Sequence, residues 1–484
     1  RPGLLEAART TAGATATAAA ATAVAYGVLL VASFKGFSQF GFMGAIGMLF
    51  CWVATFTLCP PLLALGERVR PFVSKANARR AEEGTFGTKY LGEFAERTPA
   101  PIIAAGVLLT LLAVLGIFRL FKEPFEYDFV RLRLRIMDSE LRIWSDRHYE
   151  VFSRGRSDAL VVLTDSPEQS RLAARALNQK SAEPDSTIER IWWLGSLVPE
   201  DQNEKLEVLR KIKDLVDSQP ISWMSDKQRL KVEEFKATLS LDPIKLEKVP
   251  LRLVEKLQEK DGTIGRVILI YPKKEVRLSD GRELIRFANE IRKIDLEDGT
   301  TLWTSGSPVI FADMLTSVIK DGRLTTIVCY LAVTVALFAS FRNLRTTAFI
   351  MLFLTYGLVL LAGAMGFLGL KVNFFNYIVI PITVGIGVDY HINVYKRYEL
   401  DGKKSIRSAV VQTGGAVILC SLTTIIGYGS MLLSATPAMV SFGLMAVVGE
   451  ITCLTSALLL KPAFLVVGER RRMRAVSGKA GGVA

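Results

Sequence analysis

One apolar stretch carries the residues best able to do chemistry. It reads Asn373-Phe-Phe-Asn376-Tyr-Ile-Val-Ile-Pro381-Ile-Thr-Val-Gly385-Ile-Gly387-Val-Asp389-Tyr390-His391-Ile-Asn393. A carboxylate inside a membrane span is costly and by default marks an ion or proton path. Asp389 and Asn393 are four residues apart and share a helical face, as do Gly385 and Asp389. Gly385 and Gly387 would let a neighbouring helix come close. The chemistry this allows is proton loading and release at Asp389. Tyr390 reads either as its neighbour in that process or as an interface anchor, and His391 as an interface residue rather than a relay. Glu450 is the other carboxyl group within a span, read equally as a second relay group or a local hydrogen-bond partner. Thr423 and Thr424 sit mid-span, where their hydroxyls reach either a carboxylate on another helix or the backbone of their own.

Spans of this kind must position those residues. The chain has 484 residues, half of them hydrophobic, with a formal net charge of +13. Its Lys and Arg residues cluster between apolar runs of about 20 residues, the length that crosses a bilayer. A nucleic-acid binder would spread its basic residues over a polar domain instead. Eight spans are expected, at 12–33, 39–65, 99–121, 324–341, 348–369, 373–395, 411–433 and 439–466. Arg68, Arg70, Lys75, Arg79, Arg80, Lys89 and Arg97 follow the second span, and Arg342 and Arg345 join the fourth to the fifth. Lys396, Arg397, Lys403, Lys404 and Arg407 follow the sixth, and Arg470, Arg471, Arg472 and Arg474 the eighth. The opposite loops hold only Lys35 and Lys371. The positive-inside rule then places both termini in the cytoplasm and residues 122–320 across the membrane. Cys51, Cys59, Cys329, Cys420 and Cys453 all lie in apolar runs and read as small hydrophobes. His148 and His391 are the only histidines. No metal site, cofactor or enzyme motif is expected, and the energy source implied is the proton motive force.

A repeat organises the chain. Residues 11–68 align without a gap onto 413–470. The matches include Gly13 with Gly415, Thr22 with Thr424, Tyr26-Gly27 with Tyr428-Gly429 and Phe40-Gly41 with Phe442-Gly443. They continue with Cys51 and Cys453, Pro60 and Pro462, and Gly66-Glu67-Arg68 with Gly468-Glu469-Arg470. Gly427 and Gly429, like Gly41, Gly44 and Gly47, are expected at helix contacts. The Ala- and Thr-rich first span is expected inside the bundle. Both copies start and end on one side, as in transporters built from parallel repeats. The first copy shows only its last two spans, so the chain is expected to be part of a longer protein.

The expected layout is therefore 1–66 for the last two spans of the first copy, 67–98 for a basic cytoplasmic linker and 99–121 for the first span of the second copy. Residues 122–320 form an extracytoplasmic α+β domain, 321–468 a five-span bundle and 469–484 a basic tail. Within 122–320, the runs 159–164, 188–194, 266–271 and 301–304 read as strands. Helices follow Ser166-Pro167 and span about 280–293. Two βαβ units of this kind suggest a split, ferredoxin-like sheet. Residues 200–258 are expected to supply an amphipathic helix docked on it. Trp192, Trp193 and Trp303 read as core residues, with a greasy cleft as the alternative. Ser307-Pro308 should open a helix that runs through 341.

The chain resembles the lipid-exporting MMPL branch of the resistance-nodulation-division superfamily. The motif Gly385-Ile386-Gly387-Val388-Asp389-Tyr390, closed by Lys396-Arg397-Tyr398, carries the resemblance. Thr423-Thr424-Ile-Ile-Gly427-Tyr-Gly429 and the order of one span, one large domain and five spans support it. Leu197-Val-Pro199-Glu-Asp-Gln202 is similar to a hopanoid-associated subgroup. The resemblance implies proton-driven export of hydrophobic molecules from the bacterial inner membrane, with Asp389 as the protonated carboxylate and Tyr390 in a network between the repeats. His391 and Asn393 depart from the usual residues after Asp-Tyr. The implied partners are a lipid or other hydrophobic substrate, membrane lipids and the missing first repeat; a homo-oligomer stays open. A protein-export accessory factor and a sterol-sensing receptor are the competing readings.

Overall fold

The computed structural model describes residues 2–69, 84–132, 143–144, 147, 159–198, 201–218, 225–239, 243–244, 249–402 and 405–480. Arg70, Lys75, Arg79, Arg80, His148, Pro199, Lys403 and Lys404 lie outside the described residues. Two compact units are present: Arg1–Arg135 with Met314–Ala484, and Ile136–Asp313.

The membrane unit begins with α1 (Pro2–Gly27), α2 (Lys35–Val69), α3 (Thr88–Arg97) and α4 (Pro99–Lys122). Residues 67–98 are more than a linker, because α3 packs along two later helices of the bundle. Its apolar face buries Gly92 and Ala95, and its carboxylates meet Arg407: Glu93 at 2.7 Å and Glu96 at 3.3 Å. Thr98 and Pro99 then stop α3 and open α4, with proline in the first turn, where its missing N–H costs nothing.

In the second unit, β1 (Leu160–Leu163), α5 (Pro167–Ser181), β2 (Ile188–Trp192), α6 (Gln202–Asp217) and α7 (Asp226–Leu239) precede β3 (Val267–Pro272). After it come α8 (Gly281–Ile291), β4 (Lys293–Asp295) and β5 (Thr301–Trp303). Strand β3 is buried along its whole length and runs antiparallel between β1 and β2. Its unbroken Val-Ile-Leu-Ile-Tyr run is what a strand covered on both faces requires. The 301–304 run does not add a full fourth strand; β5 pairs with β4 as a separate hairpin, and the link to the larger sheet is one bridge, Val161 to Ser305. The turn between β4 and β5 is tight, so its first partner is local.

Ser166 caps α5 by accepting from the Gln169 N–H at 3.1 Å, a contact worth about 1 kcal/mol. Gln169 reaches back to the Asp165 N–H rather than that of Ser166, one residue earlier than a capping box predicts. Helix α6 has no buried residue and packs on α7, with Lys236 and Asp217 paired at 2.6 Å; it is not the helix docked on the sheet that its periodicity suggests. Trp192 packs against the core of this unit, whereas Trp303 is 68% exposed, against its reading as a core residue.

The chain continues with α9 (Ser307–Phe341), α10 (Leu344–Leu368), α11 (Val379–Leu400), α12 (Ile406–Ser430) and α13 (Pro437–Thr455). A π-helical turn, Ser456–Leu460, joins α13 to α14 (Lys461–Ala480). Among the described residues, eight helical segments are long and apolar enough to cross a membrane, and they coincide with the eight expected spans. Helices α2 and α4 expose apolar side chains such as Phe50, Leu62, Leu108 and Phe118, a surface that only lipid or protein would cover. Helix α11 is the most enclosed and is touched by α1, α10, α12 and α13.

Candidate functional site

Helix α11 owes its central place to its glycines. A Cβ at Gly385 would stand 2.8 Å from the Ala25 Cβ on α1, and one at Gly387 would stand 2.8 Å from the Cys453 Sγ on α13. Two neighbours therefore approach α11 more closely than a larger residue would allow. The α1 contact is fixed by a buried hydrogen bond from Thr22 Oγ1 to the Gly385 carbonyl at 2.9 Å.

One turn beyond Gly385, Asp389 accepts a hydrogen bond from Asn393 Nδ2 at 2.5 Å. The shared face expected of this pair is thus realised as direct contact. Tyr390, 1% exposed, is no interface anchor: its hydroxyl donates to Glu450 Oε2 on α13. Glu450 is likewise buried, and it is tied to the residue that follows Asp389. The buried Ser421 hydroxyl of α12 is near both Tyr390 and Glu450 but makes no hydrogen bond to either. This brings acid and hydroxyl groups of three helices into one region of the bundle.

Thr423 and Thr424 take the second of their two readings: both donate to the Cys420 carbonyl of their own helix rather than reaching a carboxylate. Other expectations fail. Gly47, Gly427 and Gly429 are not at a helix contact, since among the described residues nothing lies within 4 Å of where a Cβ would stand. His391 is not an interface residue; it is fully buried, its ring 6.5 Å from that of Phe353. The sequence reading also passed over Lys461, which is fully buried and donates to the His391 carbonyl at 2.7 Å. The available signal was a lone cation inside the eighth span, with Cys59 as its repeat mate.

The repeat is visible in three dimensions. The Tyr26 and Phe40 rings lie 5.9 Å apart, and their mates Tyr428 and Phe442 lie 6.0 Å apart. A Cβ at Gly41 would stand 2.6 Å from the Tyr26 carbonyl oxygen, and one at Gly443 would stand 2.6 Å from that of Tyr428.

A polytopic helical bundle with a buried Gly-x-Gly-x-Asp-Tyr helix is a transporter-type membrane core. The chain belongs to the MMPL family, whose model matches residues 1–102 and 205–481, and so to the resistance-nodulation-division transporters. A membrane protein of Methanocaldococcus jannaschii is 26% identical over 205 residues, covering 40% of this chain and 53% of that protein. The hopanoid transporter HpnN of Burkholderia multivorans is 22% identical over 521 residues, covering 92% of this chain and 54% of the transporter. HpnN of Rhodopseudomonas palustris is 24% identical over 241 residues, covering 49% of this chain and 26% of its own. The chain thus spans about half the length of these relatives, or less. The crystal structure of SecDF from Thermus thermophilus superposes with a TM-score of 0.50 at 15% identity, over 97% of this chain and 50% of that one, which bears on fold alone.

Proposed function

We propose that this chain is the proton-coupling half of an exporter that moves lipids or similar amphiphiles out of a bacterial inner membrane. The observation that carries this is Asp389, a part-buried carboxylate on the most buried span, on a helix that neighbouring helices approach through Gly385 and Gly387. A carboxylate there has no structural advantage over an amide, because a neutral group costs less to bury. Its use is to change charge. The Tyr390–Glu450 contact supplies a second acid from another helix, so proton arrival can alter how α11 and α13 hold each other. Similarity to the hopanoid transporters makes a polycyclic, largely apolar lipid the first cargo to test.

In this reading both termini are cytoplasmic and the unit Ile136–Asp313 lies outside the membrane in the periplasm. The antiparallel order β1-β3-β2, with the β1–α5–β2 crossover, supports a split, ferredoxin-like domain whose last strand has turned aside into a hairpin. The rest of the whole protein would provide the other copy of the repeat and the partner of the Asp389 helix.

The test is export by the whole protein in liposomes with an imposed pH gradient. Asp389→Asn keeps size and hydrogen bonding, so the protein should fold and insert while export falls to the leak rate. Export at the wild-type rate by the Asn variant would remove Asp389 from the mechanism.

A further inference from the structure

Lys461 and His391 stand apart from the acid cluster, and the proposed cycle makes no use of them. His391 follows Asp389 by two residues, about 200° around the helix, and so lies on its other face. Both side chains are fully buried. Neither ring nitrogen of His391 has a hydrogen-bond partner. Lys461 gives one N–H to the His391 carbonyl, and among the described residues it has no other hydrogen bond and no carboxylate partner.

Among the described residues, the surroundings offer no free counter-charge. Helix α10 presents Phe353, while its Tyr356 hydroxyl turns to the Gly106 carbonyl of α4. Helix α13 presents Cys453 to Gly387, and its one carboxyl group, Glu450, is held by Tyr390. On α3, Glu93 and Glu96 are taken by Arg407, and on α11 itself Asp389 is held by Asn393. Phe464 of α14 closes the site against Phe353 at 5.3 Å.

A second observation points the same way. Lys461 directly follows the π-helical turn Ser456–Leu460. Such turns are rare and are frequent at functional sites. The matching residues of the first copy, 54–58, lie in the uninterrupted α-helix α2, and Cys59, the mate of Lys461, is exposed. Proline follows in both copies, at Pro60 and Pro462, so proline does not by itself explain the turn. The second copy alone has both the altered helix and the inward cation.

We propose that Lys461 and His391 form a second proton-binding site, on the face of α11 turned away from Asp389. The proposal rests on the proton-coupled reading above and adds a site to it. Two groups able to become cations, one of them bonded to the backbone of the other and neither with an acid partner among the described residues, cannot both carry charge in an apolar interior. The pair therefore holds one proton or none. The contact to the His391 carbonyl survives either state, because a neutral amine still has N–H groups to donate. The site is thus built in advance and changes only its charge. Full protonation would take the acidic face of α11 from negative to neutral and the basic face from neutral to positive. The surroundings of α11 would then change by two charges, on faces about 200° apart around its circumference.

The experiment is a nitrogen-15 NMR titration of the whole protein, with the His391 imidazole signal assigned as the one lost in His391→Gln, or in His391→Asn if that folds better. In the wild type this signal should shift with pH across the range in which the protein exports, as the pair takes up its proton. In Lys461→Met the midpoint should shift by about one pH unit, a tenfold change in proton affinity. Export by Lys461→Met at a fixed gradient should fall at least about tenfold, while Lys461→Arg, which keeps the charge, restores neither titration nor rate. An imidazole signal that stays flat across the range overturns the proposal and makes the pair a structural clamp. So does a midpoint that ignores Lys461→Met. Failure of the proton-coupled reading is seen separately, as wild-type export by Asp389→Asn, and leaves the titration result standing.

Discussion

The two copies of the repeat share letters but not surroundings. In the most apolar 18-residue stretch of α1, 44% of the residues are buried, against 11% in that of α12, which matches it. For the second helix of each copy the order reverses, with none buried in the most apolar 18-residue stretch of α2 against 56% in that between Pro437 and Arg471. Thr22 bonds across to α11, whereas its mate Thr424 bonds within its own helix. Cys453 is buried against Gly387, whereas Cys51 is exposed. What survives in both copies is local: the tyrosine–phenylalanine pair and the glycine under the tyrosine carbonyl. The sequence match therefore records the hairpin between two helices, and the packing of each hairpin depends on which helix lies beside it.

That comparison can be broken at matched sites. The largest effect should come from Gly41→Leu and Gly443→Leu. In each, a backbone carbonyl blocks the new side chain, and overpacking should cost about 1–3 kcal/mol or more. Unfolding of the purified protein in detergent measures it, and a copy that tolerates the change would show its hairpin is not built like the other. Next is Glu450→Met, which installs the first copy's residue. It strips the buried Tyr390 hydroxyl of its acceptor and should cost about 1–3 kcal/mol, while Met48→Leu should cost less than about 1.5 kcal/mol. Equal costs would mean Glu450 is not what holds Tyr390. Smallest is Thr22→Val, which should lose about 0.6 kcal/mol for an interhelical hydrogen bond. Thr424→Val should be silent in the same assay, and a matching loss at Thr424 would point to a partner for α12.

Much of this was legible in the sequence because the membrane imposes blunt rules. Eight apolar runs became eight helices, and a carboxylate with a glycine one turn away became the centre of the bundle. What stayed hidden depends on distant contacts. Sequence left Glu450 open between two roles and could not pair it with Tyr390, 60 residues earlier. His391 read as an interface residue because polar groups near span ends usually are, and Lys461 carried no signal beyond being a lone cation in its span. Only the helix phase after residue 455 turns Lys461 inward. Helix α6 has the right period for docking, but periodicity cannot name the surface that accepts it, and here that surface is α7.

The π-helical turn has a consequence for the repeat as a whole. It takes up about one residue more than an α-helical turn, so everything after it is rotated by roughly 100° relative to an unbroken helix. The alignment of 11–68 with 413–470 has no gap, and yet beyond Leu460 the two copies are out of step in space. This is a dislocation: the letters remain in register while the lattice of side chains slips. Gly468-Glu469-Arg470 spells the same word as Gly66-Glu67-Arg68 but speaks it in another direction, with Arg470 reaching the Glu96 carbonyl of α3 and Glu469 accepting the Ile406 N–H of α12. Two ancestral halves can thus diverge in function without gaining or losing a single codon.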